Sequence, residues 1–139
     1  MNRNLKKSLF AAGALLTAQV YAGAAMAAPP TSVWGTWSLT ANQTFETLTI
    51  TNQGNLATPC KVILGTIGGV AAPIYGFYCP DTGRIHFIHK NLFSKVPIRV
   101  FDGIASDVVV GSPNRISGTY TSDYAPTLPF GYYGFSATK

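Results

Sequence analysis

From residue 35 onward, turn-forming residues interrupt this sequence at short, regular intervals, and the segments between them alternate apolar with polar side chains. That rhythm constrains the chain most, because period-two patterning over five to eight residues suits strands and leaves no room for helices. Eight strands are expected, over Gly35–Ala41, Phe45–Thr51, Lys61–Thr66, Ile74–Cys79, Arg84–His89, Pro97–Ala105, Arg115–Thr121 and Tyr132–Thr138. The breaks between them include Asn52-Gln53-Gly54, Gly68-Gly69, Pro80-Asp81-Thr82-Gly83, Lys90-Asn91, Gly111-Ser112-Pro113-Asn114 and a loop holding Pro126 and Pro129. Enrichment in Thr, Tyr, Phe, Val and Ile agrees with pleated strands.

Alternation assigns the faces. Ile85, Phe87 and His89 share one side of the fifth strand, and Arg84, His86 and Ile88 the other. In the seventh, Ile116, Gly118 and Tyr120 oppose Arg115, Ser117, Thr119 and Thr121. The sixth is mixed on both faces. Eight short strands must hide their edges, and closing the sheet removes them. The expected fold is therefore all-β, an eight-stranded antiparallel up-and-down β-barrel, with a two-sheet sandwich as the rival.

The first residues read as an address. Arg3, Lys6 and Lys7 precede an apolar run over Leu9–Ala18, and Ala25-Met26-Ala27 fits a cleavage site. This order is that of a secretory signal peptide over 1–27, leaving a single β-barrel domain over 28–139. A membrane anchor is the competing reading, but the run falls short of the roughly 20 residues a span needs. The expected location is secreted, periplasmic or extracellular. Beyond residue 27, seven basic residues against five acidic ones leave a net charge of +2, so most of the +5 of the whole chain belongs to the leader. No basic cluster remains for nucleic acid.

The two cysteines, Cys60 and Cys79, are expected to pair in an oxidising compartment. A hairpin turning at Gly68-Gly69 sets them opposite each other, within bridging reach. A redox pair is the alternative, without support from their spacing.

Several strings resemble the avidin and streptavidin family: Gly35-Thr36-Trp37 followed by Thr44-Phe45, Lys90-Asn91 closing the fifth strand, Val100-Phe101-Asp102-Gly103 in the sixth, and Arg115-Ile116 through Tyr120 in the seventh. Lipocalin-like barrels share the Gly-x-Trp opening. The resemblance implies an up-and-down barrel with a ligand at one mouth, lined here by Gln43, His89, Arg99, Phe101 and Tyr120, and homo-oligomers formed through outer barrel faces. His89, Phe101 and Tyr120 stand where the family carries tryptophans. Leu39 and Gln43 fall near its first-hairpin polar ligands, and Arg99 replaces a threonine. Losing those anchors costs several kcal/mol each at about the scale of binding hot spots, so biotin is not the expected ligand.

Arg99 stays charged inside a barrel and needs an anion, whether a ligand carboxylate or phosphate, Asp102 or Glu46. His86 and His89, three apart on a strand, point to opposite faces and cannot share a metal. No catalytic constellation is visible, and no cofactor motif. Glu46, Asp102 and His89 meeting within hydrogen-bond reach would revive an enzyme.

Two functions are thus expected. The leading one is a secreted non-enzymatic barrel holding an unknown small molecule, anions included, in its mouth. The other is a structural or protein-interaction module whose interior is packed solid by Trp37, Phe45, Phe87, Tyr120 and Phe135. The aromatic tail of Tyr124, Phe130, Tyr132 and Tyr133 serves either core or interface. An open mouth favours the first reading, a filled core the second.

Overall fold

The computed structural model of the chain describes residues 28–55, 59–69, 72–91, 93, 97–107, 114–122 and 131–139. The expected signal peptide, the Gly111-Ser112-Pro113 loop, Tyr124, Phe130 and both loop prolines lie outside them.

Alternation and turns produce eight strands: β1 (Gly35–Ala41), β2 (Thr44–Asn55), β3 (Lys61–Ile67), β4 (Pro73–Cys79), β5 (Arg84–Lys90), β6 (Pro97–Ser106), β7 (Arg115–Ser122) and β8 (Tyr132–Thr138). Each pairs antiparallel with its sequence neighbour, and β1 pairs with β8, closing the barrel. The closed up-and-down sheet excludes the sandwich and is compatible with a calycin-like fold. None of the described residues forms a helix long and apolar enough to cross a membrane.

One boundary differs clearly from expectation. Asn52-Gln53-Gly54 reads as a turn, yet β2 runs through it, pairing Asn52 with Leu64 and Gly54 with Val62. A bulge between Ile50 and Asn52 absorbs the extra residue, which bends the strand without ending it.

Parity decides what is inside. Trp37, Leu39, Leu48, Ile50, Ile85, Phe87, Phe101 and Ile116 are at most 1% exposed. Phe101 stacks on Phe87 with centroids 4.6 Å apart and on Tyr120 at 5.0 Å, and takes the Phe135 ring edge-on at 5.1 Å. These rings fill the barrel at mid-height. Phe45 does not join them: it is 84% exposed, because the inward positions of β2 are those of Leu48 and Ile50 and residue 45 has the opposite parity.

The residues preceding β1 plug the lower end. The Trp37 indole Nε1 donates to the Val33 carbonyl at 2.9 Å, and the buried Tyr78 hydroxyl donates to the Pro30 carbonyl. At the same end the disulfide joins Cys60 to Cys79, continuing the β3–β4 register in which Lys61 faces Tyr78. The hairpin turns at Gly68-Gly69, both with positive φ, as glycine permits at such a corner.

Candidate functional site

The upper end carries the β1–β2 turn at Asn42-Gln43, the β3–β4 turn, and the ends of β5 and β7. Register builds the site there in two inward rows. His89 on β5 pairs with Arg99 on β6, which pairs with Ser122 on β7. One step deeper, Phe87, Phe101, Tyr120 and Tyr133 pair in succession across β5 to β8. Tyr120 and Tyr133 stack at 5.3 Å. The mixed sixth strand is thereby resolved: Arg99, Phe101 and Ala105 point inward, while Asp102 and Ile104 point out.

Arg99 reaches across the lumen. Its Nη1 and Nη2 donate to Glu46 Oε1 and Oε2 at 2.8 and 2.7 Å. In the closed ring β2 and β6 stand four strands apart, on facing walls, so the fork-to-fork pair forms a bar over the aromatic core. Their side chains are only 14% and 18% exposed. Arg99 also lies 5.6 Å from the Phe101 ring centroid. Of the anions open to Arg99, the partner is Glu46. Asp102 sits outside the barrel, 2.7 Å from His86 Nδ1, with the His86 ring stacked on Phe77.

His89 completes the cluster. Arg99 Nε lies 3.2 Å from His89 Nδ1. A guanidinium only donates, so Nδ1 accepts, and the proton of the neutral ring sits on Nε2. That Nε2 is buried and has no partner among the described residues, and the side chain is 5% exposed. Burial first, then the Arg99 charge, lower its pKa to about 4, with Glu46 opposing. Burial likewise raises the Tyr120 hydroxyl. The cluster is thus net neutral, with one unspent donor.

Four of the five sequence candidates therefore meet: His89, Arg99, Phe101 and Tyr120. Gln43 does not join them; it is exposed in the turn at φ 67°. Ser122 and Tyr133 were missed, although the parity of Tyr120 on β7 points to Ser122. His86 and His89 stand on opposite faces of the wall, and Asp102 is separated from Glu46 and His89 by the sheet.

Beneath the bar the rings of Phe87, Phe101, Tyr120 and Phe135 pack on one another in the lumen. An open depression of about 690 Å3 borders the Gly68-Gly69 turn, lined by Ser38, Phe45, Thr47 and Thr49 of the outer wall together with Leu39 and Glu46. Comparison with protein families and with curated proteins finds no match for this chain.

Proposed function

We propose that this is a non-enzymatic, exported interaction module that works through its outer wall, its barrel being a solid support. The observation that carries this reading is the stack of rings at mid-height in the lumen, roofed by an ion pair that already satisfies both of its members. An anionic ligand would have to displace Glu46 from Arg99, at the cost of stranding a carboxylate. The exposed rings of Phe45 and Tyr132, each 84% accessible, and of Tyr75 and Trp34 give the outer wall contact chemistry that the lumen lacks.

A second reading retains a small-molecule mouth. What favours it is the unpartnered His89 Nε2–H, which suits a neutral ligand offering one acceptor. Native mass spectrometry of protein purified from its own host separates the two. The module reading expects the disulfide-bonded polypeptide alone. A retained small molecule that disappears in His89→Phe would overturn it in favour of the mouth.

A further inference from the structure

The outer wall is divided chemically. On the β4–β6 side the outward residues include Tyr75, Ile88 and Ile104 together with Arg84, His86 and Asp102. On the other side, register lines up hydroxyls. Ser136, Thr40 and Phe45 form one cross-strand row over β8, β1 and β2, and Thr138, Ser38 and Thr47 form the next. Thr36, Thr49 and Thr66 make a third row over β1, β2 and β3. Among the described residues, no outward side chain of β8, β1, β2 or β3 carries a charge; Arg115 on β7, opposite Thr138, marks the border.

The 690 Å3 depression opens on this face, and Leu39 and the Arg99-paired Glu46 line it as well. The Gly68 amide donates to the Thr47 carbonyl at 2.9 Å, extending the β2–β3 ladder into the turn, and Gly68 and Gly69 form one side of the hollow. Phe45 stands at another side, its ring free. A Cβ added at Gly68 or Gly69 would meet nothing within 4 Å, so close packing of the turn does not account for the hollow's open side.

We propose that this hollow and the hydroxyl rows around it bind a neutral glycan chain. The argument rests on the outer-wall reading above and narrows its partner. Covering this many hydroxyls with an apolar protein surface would strip their water without replacing the hydrogen bonds, a cost of about 1–3 kcal/mol for each one left unmade. A polyhydroxylated chain returns donors and acceptors at matching density. The charge that lines the hollow, the Glu46 carboxylate, is already paired with Arg99, so neither a polyanion nor a polycation gains much there by Coulomb attraction. The exposed Phe45 ring supplies an apolar platform for the C–H face of a sugar ring, and bound water can bridge the remaining hydroxyl pairs.

The test is titration of the 15N-labelled mature protein with cellohexaose, maltohexaose and chitohexaose, with a hyaluronan hexasaccharide as charged control. At least one neutral oligosaccharide should shift the amides of Ser38, Phe45, Thr47, Thr49 and Gly68. Phe45→Ala should weaken binding at least tenfold, Thr47→Lys should do the same, and His89→Phe should leave it unchanged. The inference is overturned if none of the neutral sugars shifts these amides, if hyaluronan binds as well as they do, or if the shifts centre on His89 and Tyr120. The first two outcomes leave the module reading intact, since the native mass decides that separately; the third removes both.

Discussion

Arg99 and Glu46 meet from facing walls of the barrel, two nitrogens on two oxygens, 53 residues apart in the chain. A pair so placed ties β2 to β6 directly, although they share no ladder, and sets a polar roof over the stacked rings of Phe101 and Tyr120. Removing one member strands the other's charge where water reaches it poorly.

Arg99→Met or Glu46→Leu alone should therefore destabilise the fold by about 3 kcal/mol, below the top of the range for a wholly buried pair because both side chains keep some exposure. The double variant should recover most of that loss. Urea unfolding of all four proteins gives the coupling energy; additive losses would mean that the bar contributes nothing.

His89 makes stability depend on pH. Its folded pKa of about 4 lies below the unfolded value near 6.5. Between those values the unfolded chain binds a proton that the folded one refuses, so stability falls as pH falls from about 6.5 to about 4, by about 3 kcal/mol, and this group contributes no further loss below that. Comparing wild type with His89→Gln at pH 7 and pH 4.5 isolates it from the carboxylates: the variant should lose less stability between the two.

How much of this was legible in sequence follows from range. All eight strands were readable, because parity and turn residues are local, and β1 and β8 have the expected ends. Asn52-Gln53-Gly54 misled because turn chemistry is equally the chemistry of a bulged strand, and only the partner β3 decides between them. Phe45 was misplaced by its hydrophobicity, although the Thr47, Leu48, Thr49, Ile50 alternation already put it outside. The choice of Glu46 over Asp102 for Arg99 needed the strand order around the ring. Parity alone sets Asp102 and Arg99 on opposite faces of β6, without saying which of the two faces lies inside.

The disulfide closes a sequence separation of 19 at the lower end. Cys60→Ser with Cys79→Ser should cost about 3 kcal/mol by the loop-closure argument. In a chain this short, that lowers the midpoint of thermal unfolding by about 10 °C. Scanning calorimetry with and without reductant checks it; an unchanged midpoint would mean that the bridge adds no stability.

Gly103 and Gly118 face each other inward across β6 and β7. A Cβ on Gly118 would lie 2.0 Å from the Asp102 carbonyl oxygen and 2.5 Å from Gly103 Cα, and one on Gly103 would meet the Phe135 ring at 2.9 Å. The missing side chains let the two strands and that ring close together. Gly118→Ala should thus destabilise by about 3 kcal/mol or more, since backbone has to move. Gly134→Ala, which meets nothing within 4 Å, is the control and should be near neutral in the same denaturation experiment.

Tyr78 is fully buried and donates its hydroxyl to Pro30, fastening the N-terminal plug to the lower end of the core. Burial, and after it the Asp107 charge, push its pKa up to about 12. An unfolded tyrosine ionises near 10, so between about 10 and 12 the unfolded state sheds a proton that the folded state keeps. Stability should accordingly fall as pH rises through that window, by about 3 kcal/mol. Tyr78→Phe should lose roughly 1–3 kcal/mol at pH 8, because the Pro30 carbonyl is left without its donor, and should be less sensitive to alkali than wild type. Urea midpoints at pH 8 and pH 11 for both proteins measure the difference. Equal losses in the two would mean that the hydroxyl does not hold the plug, and that residues 28–34 stay in place by the burial of Val33, the Trp37 indole bond and the hydrogen bonds to Gln53, Thr51 and Lys61.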